Sequence, residues 1–105
     1  MMFGCEANLQ AAIQAEFENA NSIHPPFASL HEGYAVMLEE LEEAEEAFTE
    51  IKYDMRQMWG HIKCDSPEGA EQFAWFVRHE AENLCREAIQ VAAMARKMVA
   101  RCEMR

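Results

Sequence analysis

The chain is predicted to be all-α: a long antiparallel helical hairpin plus an N-terminal helix, dimerising into a four-helix bundle. Three observations predict it. Apolar residues recur at alternating steps of four and three from Met37 to Ile62, and again from Ala70 to Cys102, the signature of amphipathic helices with a heptad seam. No segment alternates apolar and polar residues as a half-buried strand does. Proline and glycine are few and gather mainly at two turns. The 105 residues form one domain, residues 1–105.

Helix one is expected from about Cys5 to Asn19, with Leu9, Ile13 and Phe17 on one stripe. Pro25-Pro26 then bars a helix, because proline lacks the N–H donor and restricts the residue before it. Ser29-Leu30-His31-Glu32 has the form of a capping box, with Ser29 as N-cap. Helix two starts there and runs to about Cys64, with Met37, Leu41, Ala44, Phe48, Ile51, Met55, Met58 and Ile62 as its seam. Some 35 residues at 1.5 Å each extend about 50 Å. Ser66 as N-cap, Pro67 at the first helical position and Glu68 in the first turn open helix three. Its seam alternates alanine with larger residues, and Arg96, Lys97, Arg101 and Arg105 oppose the helix dipole at its end. A thin hairpin cannot bury two such stripes alone, so a second copy is expected to cover them, as a homodimer or a dimer of dimers.

Nineteen acids stand against nine lysines and arginines, a net charge of −10. That excess argues against nucleic acid or an anionic membrane as partner. No apolar run approaches the roughly 20 residues that span a bilayer, and no basic-then-apolar leader opens the sequence. Four cysteines without a CxxC pair read as free, partly buried thiols in a reducing cytoplasm. His61-Ile62-Lys63-Cys64 has the look of half a zinc site, but the sequence offers no second half.

The acids concentrate. From Glu32 to Glu50 helix two carries eight acids and no lysine or arginine. Like charges so dense destabilise a helix unless a partner neutralises them. A solvated helix face is the plain reading; a divalent cation or a neighbouring chain's arginines are the alternatives. Glu40 and Glu43 lie one turn apart on one face. On helix three, Glu80 and Glu87 lie beside the alanine-rich seam with Asn83 and Gln90, where bare burial of a polar group costs several kcal/mol. Interhelical hydrogen bonds, or pairing with Arg78 or Arg86, would satisfy them. A ring of carboxylate oxygens from two helices would suit Mg²⁺, which retains waters that a phosphate can displace.

The block Phe27-Ala28-Ser29-Leu30-His31-Glu32-Gly33-Tyr34-Ala35-Val36, leading into Glu39-Glu40-Leu41-Glu42-Glu43, resembles the MazG-like proteins of bacteria and phages. So does Glu87-Ala88-Ile89-Gln90-Val91-Ala92-Ala93-Met94-Ala95. That family is an all-α nucleoside triphosphate pyrophosphohydrolase class with an EExxE motif followed by ExxD. Glu39, Glu40 and Glu43 match the first motif and Glu87 the second, while Gln90 stands where the family has aspartate. The resemblance implies cleavage of an NTP or dNTP to monophosphate and pyrophosphate. It implies Mg²⁺ held by Glu40, Glu43, Glu87 and Gln90, and Glu39 as the base that takes a proton from water. Asn83, Lys52 and Arg86 are the candidates for substrate contact. Gln90 brings an oxygen without charge, and this departure keeps open a non-catalytic helical dimer, acting as a nucleotide sensor or protein-interaction module.

Overall fold

A computed structural model describes residues 6–23 and 25–104. Cys5, the expected start of the first helix, and Arg105 lie outside the described residues. Three helices account for the described secondary structure: α1 (Glu6–Ile23), α2 (Leu30–Lys63) and α3 (Pro67–Glu103). Among the described residues there is no strand, and no helix is long and apolar enough to cross a membrane. α1 runs four residues past the expected Asn19, and Pro25 follows soon after its end.

Both caps form where the sequence places them. The Glu32 amide donates to Ser29 Oγ at 3.1 Å, satisfying a first-turn donor of α2. At the other end of α2 the chain turns through Asp65 at φ 55°. The Ser66 amide donates to the His61 carbonyl at 2.8 Å, and the Asp65 amide to Ile62 at 3.1 Å. This is the paired closure that ends a helix with one left-handed residue; aspartate tolerates that conformation better than a β-branched residue would. Ser66 then caps α3, its Oγ accepting from the Gly69 amide at 3.4 Å and its carbonyl from Ala70 at 3.0 Å. One serine thus closes one helix and opens the next.

The chain divides into two compact units: Met1–Leu41 with Ala88–Arg105, and Glu42–Glu87. In the first, Phe27, Ala93 and Met94 form a small buried core, with Phe17, Ala20, Val36, Met37 and Met98 packed on it. Arg96 donates to Gln14 and to Gln10, tying α1 to the last turns of α3. Arg101 Nε donates to the Phe27 carbonyl at 2.7 Å and anchors the α1–α2 connection. In the second unit the end of α2 runs antiparallel to the start of α3, and His61 stacks on Phe73 at 5.5 Å. Phe73 in turn meets Phe76 edge-on.

The heptad seam is split. On α2, Met37, Ala44, Ile51 and Met58 are half-buried, whereas Leu41, Phe48, Met55 and Ile62 are about half exposed. The most covered stripe is instead Gly33, Glu40, Ala47, Asp54 and His61, spaced by seven, with Asp54 only 6% exposed. The buried face of α2 is therefore turned roughly 50° from the apolar seam, half of one residue's 100° step. α3 behaves alike. Phe73, Glu80, Glu87 and Met94 lie on its covered side, while Ala74, Ala81, Ala88 and Cys102 are exposed. Cys64, Cys85 and Cys102 are free and exposed rather than partly buried, because each falls on the turn or on these outer strips.

Gly33 illustrates how tightly the first unit closes. A Cβ at this position would sit 2.5 Å from Met98 Sδ and 2.9 Å from the Phe27 ring. Met98 can swing aside, but the ring is held in the core. Gly33→Ala is expected to destabilise the protein by about 1–3 kcal/mol despite alanine's better helix propensity. Chemical denaturation of the two proteins checks this, and a stabilised variant would show the contact to be loose.

Candidate functional site

Glu43 and Glu87 are the residues that the hairpin brings together. They belong to opposite helices of the second unit, and each offers a carboxylate oxygen within 4.8 Å of the other's. Both arise from helix positions that propensity alone would leave in solvent. The antiparallel register set by the Asp65–Ser66 turn places them opposite one another. Glu40 precedes Glu43 by one turn of α2 and belongs to the first unit.

Two carboxylates at this distance cannot both ionise freely. Glu43 is pushed above its ordinary value of 4.5, first because its protonated form donates a hydrogen bond to Glu87, then because Glu87's charge repels its own, and last through slight desolvation. The pair is poised to share one proton, or to exchange that proton for a cation.

Around the pair lies an open cavity of about 770 Å³ within the second unit. Glu46, Glu50, Glu80 and Asn83 line it beside Glu43 and Glu87, and no lysine or arginine does. Every charged liner is an acid and the uncharged polar liners, Asn83 and Thr49, add oxygens of the same hard class. This donor set fits Mg²⁺ and suits neither a soft metal nor an unaccompanied anion. A polyphosphate would enter with its cation.

The remaining expected site residues fall as follows. Asn83 lines the cavity. Glu39 is an exposed residue of α2. Lys52 is exposed, its ammonium 5.2 Å from the Phe48 ring centroid, and Arg86 is exposed on α3. Gln90 belongs to the first unit, where its Nε2 donates to Glu16 at 2.8 Å. Glu46, Glu50 and Glu80 were not assigned from sequence, although Glu80 beside the seam and the unrelieved acidic arc of α2 were the signals that point to them. Among the described residues the group able to hold a metal is glutamate alone, and His61 of the zinc half-motif is stacked on Phe73.

Compared with known proteins, the chain matches no family model, no curated protein and no solved structure.

The raised Glu43 has a consequence for stability. A carboxyl group raised on folding favours the fold below its ordinary pKa, and that contribution is lost as pH rises through the raised value. Near pH 7, without divalent ions, the pair therefore opposes folding. Glu43→Gln is expected to melt at a higher temperature than the parent at pH 7 in EDTA, and the gap should close below about pH 4. Calorimetry across that range reads it; a gap that is constant or reversed would mean the two carboxylates do not meet.

Proposed function

We propose that this protein is a Mg²⁺-dependent nucleotide pyrophosphohydrolase of the MazG-like type, cleaving an NTP or dNTP to the monophosphate and pyrophosphate in the cytoplasm. One observation carries the reading: Glu43 and Glu87, distant in sequence, present carboxylates to a common point at the edge of an oxygen-lined cavity. The resemblance of the Glu39–Glu43 and Glu87–Ala95 blocks to that family supports it.

In this reading Glu43 and Glu87 hold Mg²⁺, and Glu40 is the further ligand that the family resemblance implies. Bound there, Mg²⁺ supplies charge neutralisation at the phosphates and a water of lowered pKa. Glu46, Glu50 and Glu80 leave room for a second ion. Asn83 offers the nucleotide a neutral hydrogen-bonding group at the cavity wall. Glu39, adjacent to Glu40 in sequence, is the candidate base; Lys52 and Arg86, the candidates for phosphate contact, do not line the cavity.

Purified protein with Mg²⁺ and each common NTP and dNTP is expected to release pyrophosphate. Glu87→Gln should lower the rate at least 100-fold, as loss of a metal-binding partner commonly costs 10–100-fold or more. Chelation by EDTA should abolish it. Pyrophosphate release that persists in Glu87→Gln would refute the site. Stabilisation by Mg²⁺ and nucleotide without turnover would favour the second reading, a nucleotide sensor or interaction module. Gln90, neutral where the family has aspartate and engaged with Glu16, is the observation on that side.

The assembly proposed is a homodimer. The outward strip of Phe48, Met55 and Ile62 on α2, about half exposed along two heptads, is the surface that a second copy would cover. Alanines at 74 and 81 on α3, exposed at the same seven-residue spacing, would receive bulky partners closely. Sedimentation equilibrium is expected to give a dimer or a dimer of dimers at micromolar concentration. The double change Phe48→Glu, Met55→Glu should yield monomers. A parent protein that is monomeric at tens of micromolar would contradict the proposal.

A further inference from the structure

Away from its covered stripe, α2 carries a second seam within the second unit. Glu45, Phe48, Lys52, Met55, Trp59 and Ile62 follow one another at alternating steps of three and four. At 100° per residue they share an arc of about 100° on one helix face. All six are exposed, and the four apolar members are 51% to 57% exposed. A contiguous exposed apolar stripe marks a contact surface. The three–four spacing is that of a helix that packs lengthwise on another helix.

The two charged members decide which helix that is. Glu45 stands three residues before Phe48 and Lys52 four residues after it. Opposite charges thus flank Phe48 at nearly equal distances. The seam is self-complementary when a second α2 lies antiparallel across it on a two-fold axis at Phe48. In that register the second copy's Lys52 falls within about one residue's rise, 1.5 Å, of Glu45, and the reciprocal pair forms by symmetry. A parallel α2 would set Glu45 against Glu45 and Lys52 against Lys52, and like charges so placed reject the arrangement.

We propose that two copies pair as an isologous dimer, α2 antiparallel to α2 with Phe48 on the axis, each Lys52 binding the other copy's Glu45. That a homodimer forms at all rests on the assembly proposed above; its direction and register come from the seam. Lys52 is already held at the axis, its ammonium 5.2 Å from the centroid of its own Phe48 ring. Glu45 also lines the acidic cavity, which no lysine or arginine of its own chain lines. The second copy's Lys52 therefore brings a cation to the edge of that cavity, and part of the unrelieved acidity of α2 is neutralised between chains.

Two readouts on the full chain test the pairing. For the first, the chain's own cysteines are replaced by serine and a spin label is attached at Lys63→Cys. Pulsed electron paramagnetic resonance is expected to give about 45 Å between labels, since about 30 residues at 1.5 Å each separate them along an antiparallel seam. A parallel pair, with axes about 8–10 Å apart, would hold them within about 20 Å. For the second, sedimentation equilibrium compares charge variants. Glu45→Lys and Lys52→Glu should each weaken the dimer at least about tenfold. The double variant, which keeps the parent's net charge, should return to within about threefold of the parent. Labels within about 20 Å, or a double variant as weak as the single ones, would overturn the pairing while leaving a homodimer in place. A monomeric parent would overturn the pairing and the assembly together. Neither readout uses Mg²⁺ or nucleotide, so failure here leaves pyrophosphate release to stand or fall by its own assay.

Discussion

Electrostatic repulsion between Glu43 and Glu87 is the constraint on which the second unit depends. The turn at Asp65 and Ser66 fixes the register of α2 against α3, and that register leaves two carboxylates facing each other. A fold selected for stability alone would place alanine or leucine there, since removing the charges removes the penalty. The presence of both acids, with Glu46, Glu50 and Glu80 on the same cavity, is a cost that the proposed cation would offset. The proposed chemistry begins from this tension rather than from any single residue.

The same polar interior explains the position of the apolar residues. Because Glu40, Asp54 and Glu87 occupy the covered stripes, the larger side chains Leu41, Phe48, Met55 and Ile62 are displaced to an outer face. Acidic interior and apolar exterior are two results of one rotation of α2. The first unit solves its packing differently. There Gly33, Phe27 and Met98 meet closely, Arg96 and Arg101 tie helix to helix and helix to loop, and a small core closes around Met94.

Much of this was legible in the sequence. Three helices, their order, both serine caps and Pro67 at the first position of α3 follow from residue types whose local hydrogen bonds leave few alternatives. Glu43 and Glu87 were named together from the sequence through the two motif blocks they belong to, since Glu43 by itself reads as one member of an acidic arc. The facing angle of α2 was not. A heptad count assigns the centre of the seam to the apolar residues, and Asp54 and Glu40 carry no mark that they will be covered. Gln90 has a partner that the sequence did not announce. It lies one helical turn from Glu87, and its Nε2 donates to Glu16 of α1, a partner 74 residues away in sequence that no local pattern reveals. Lys97, read as a C-terminal dipole partner, is buried beneath Phe27.

The central claim is that carboxylates of α2 and α3 grip one divalent cation. Titration with Mn²⁺, followed by the electron paramagnetic resonance signal of the free ion, measures that grip directly and without nucleotide. The parent protein should remove at least one Mn²⁺ per chain at micromolar to millimolar concentrations, and the Glu43→Gln, Glu87→Gln double variant should remove far less. Equal uptake by the two proteins would contradict the claim and leave the acids as surface charge.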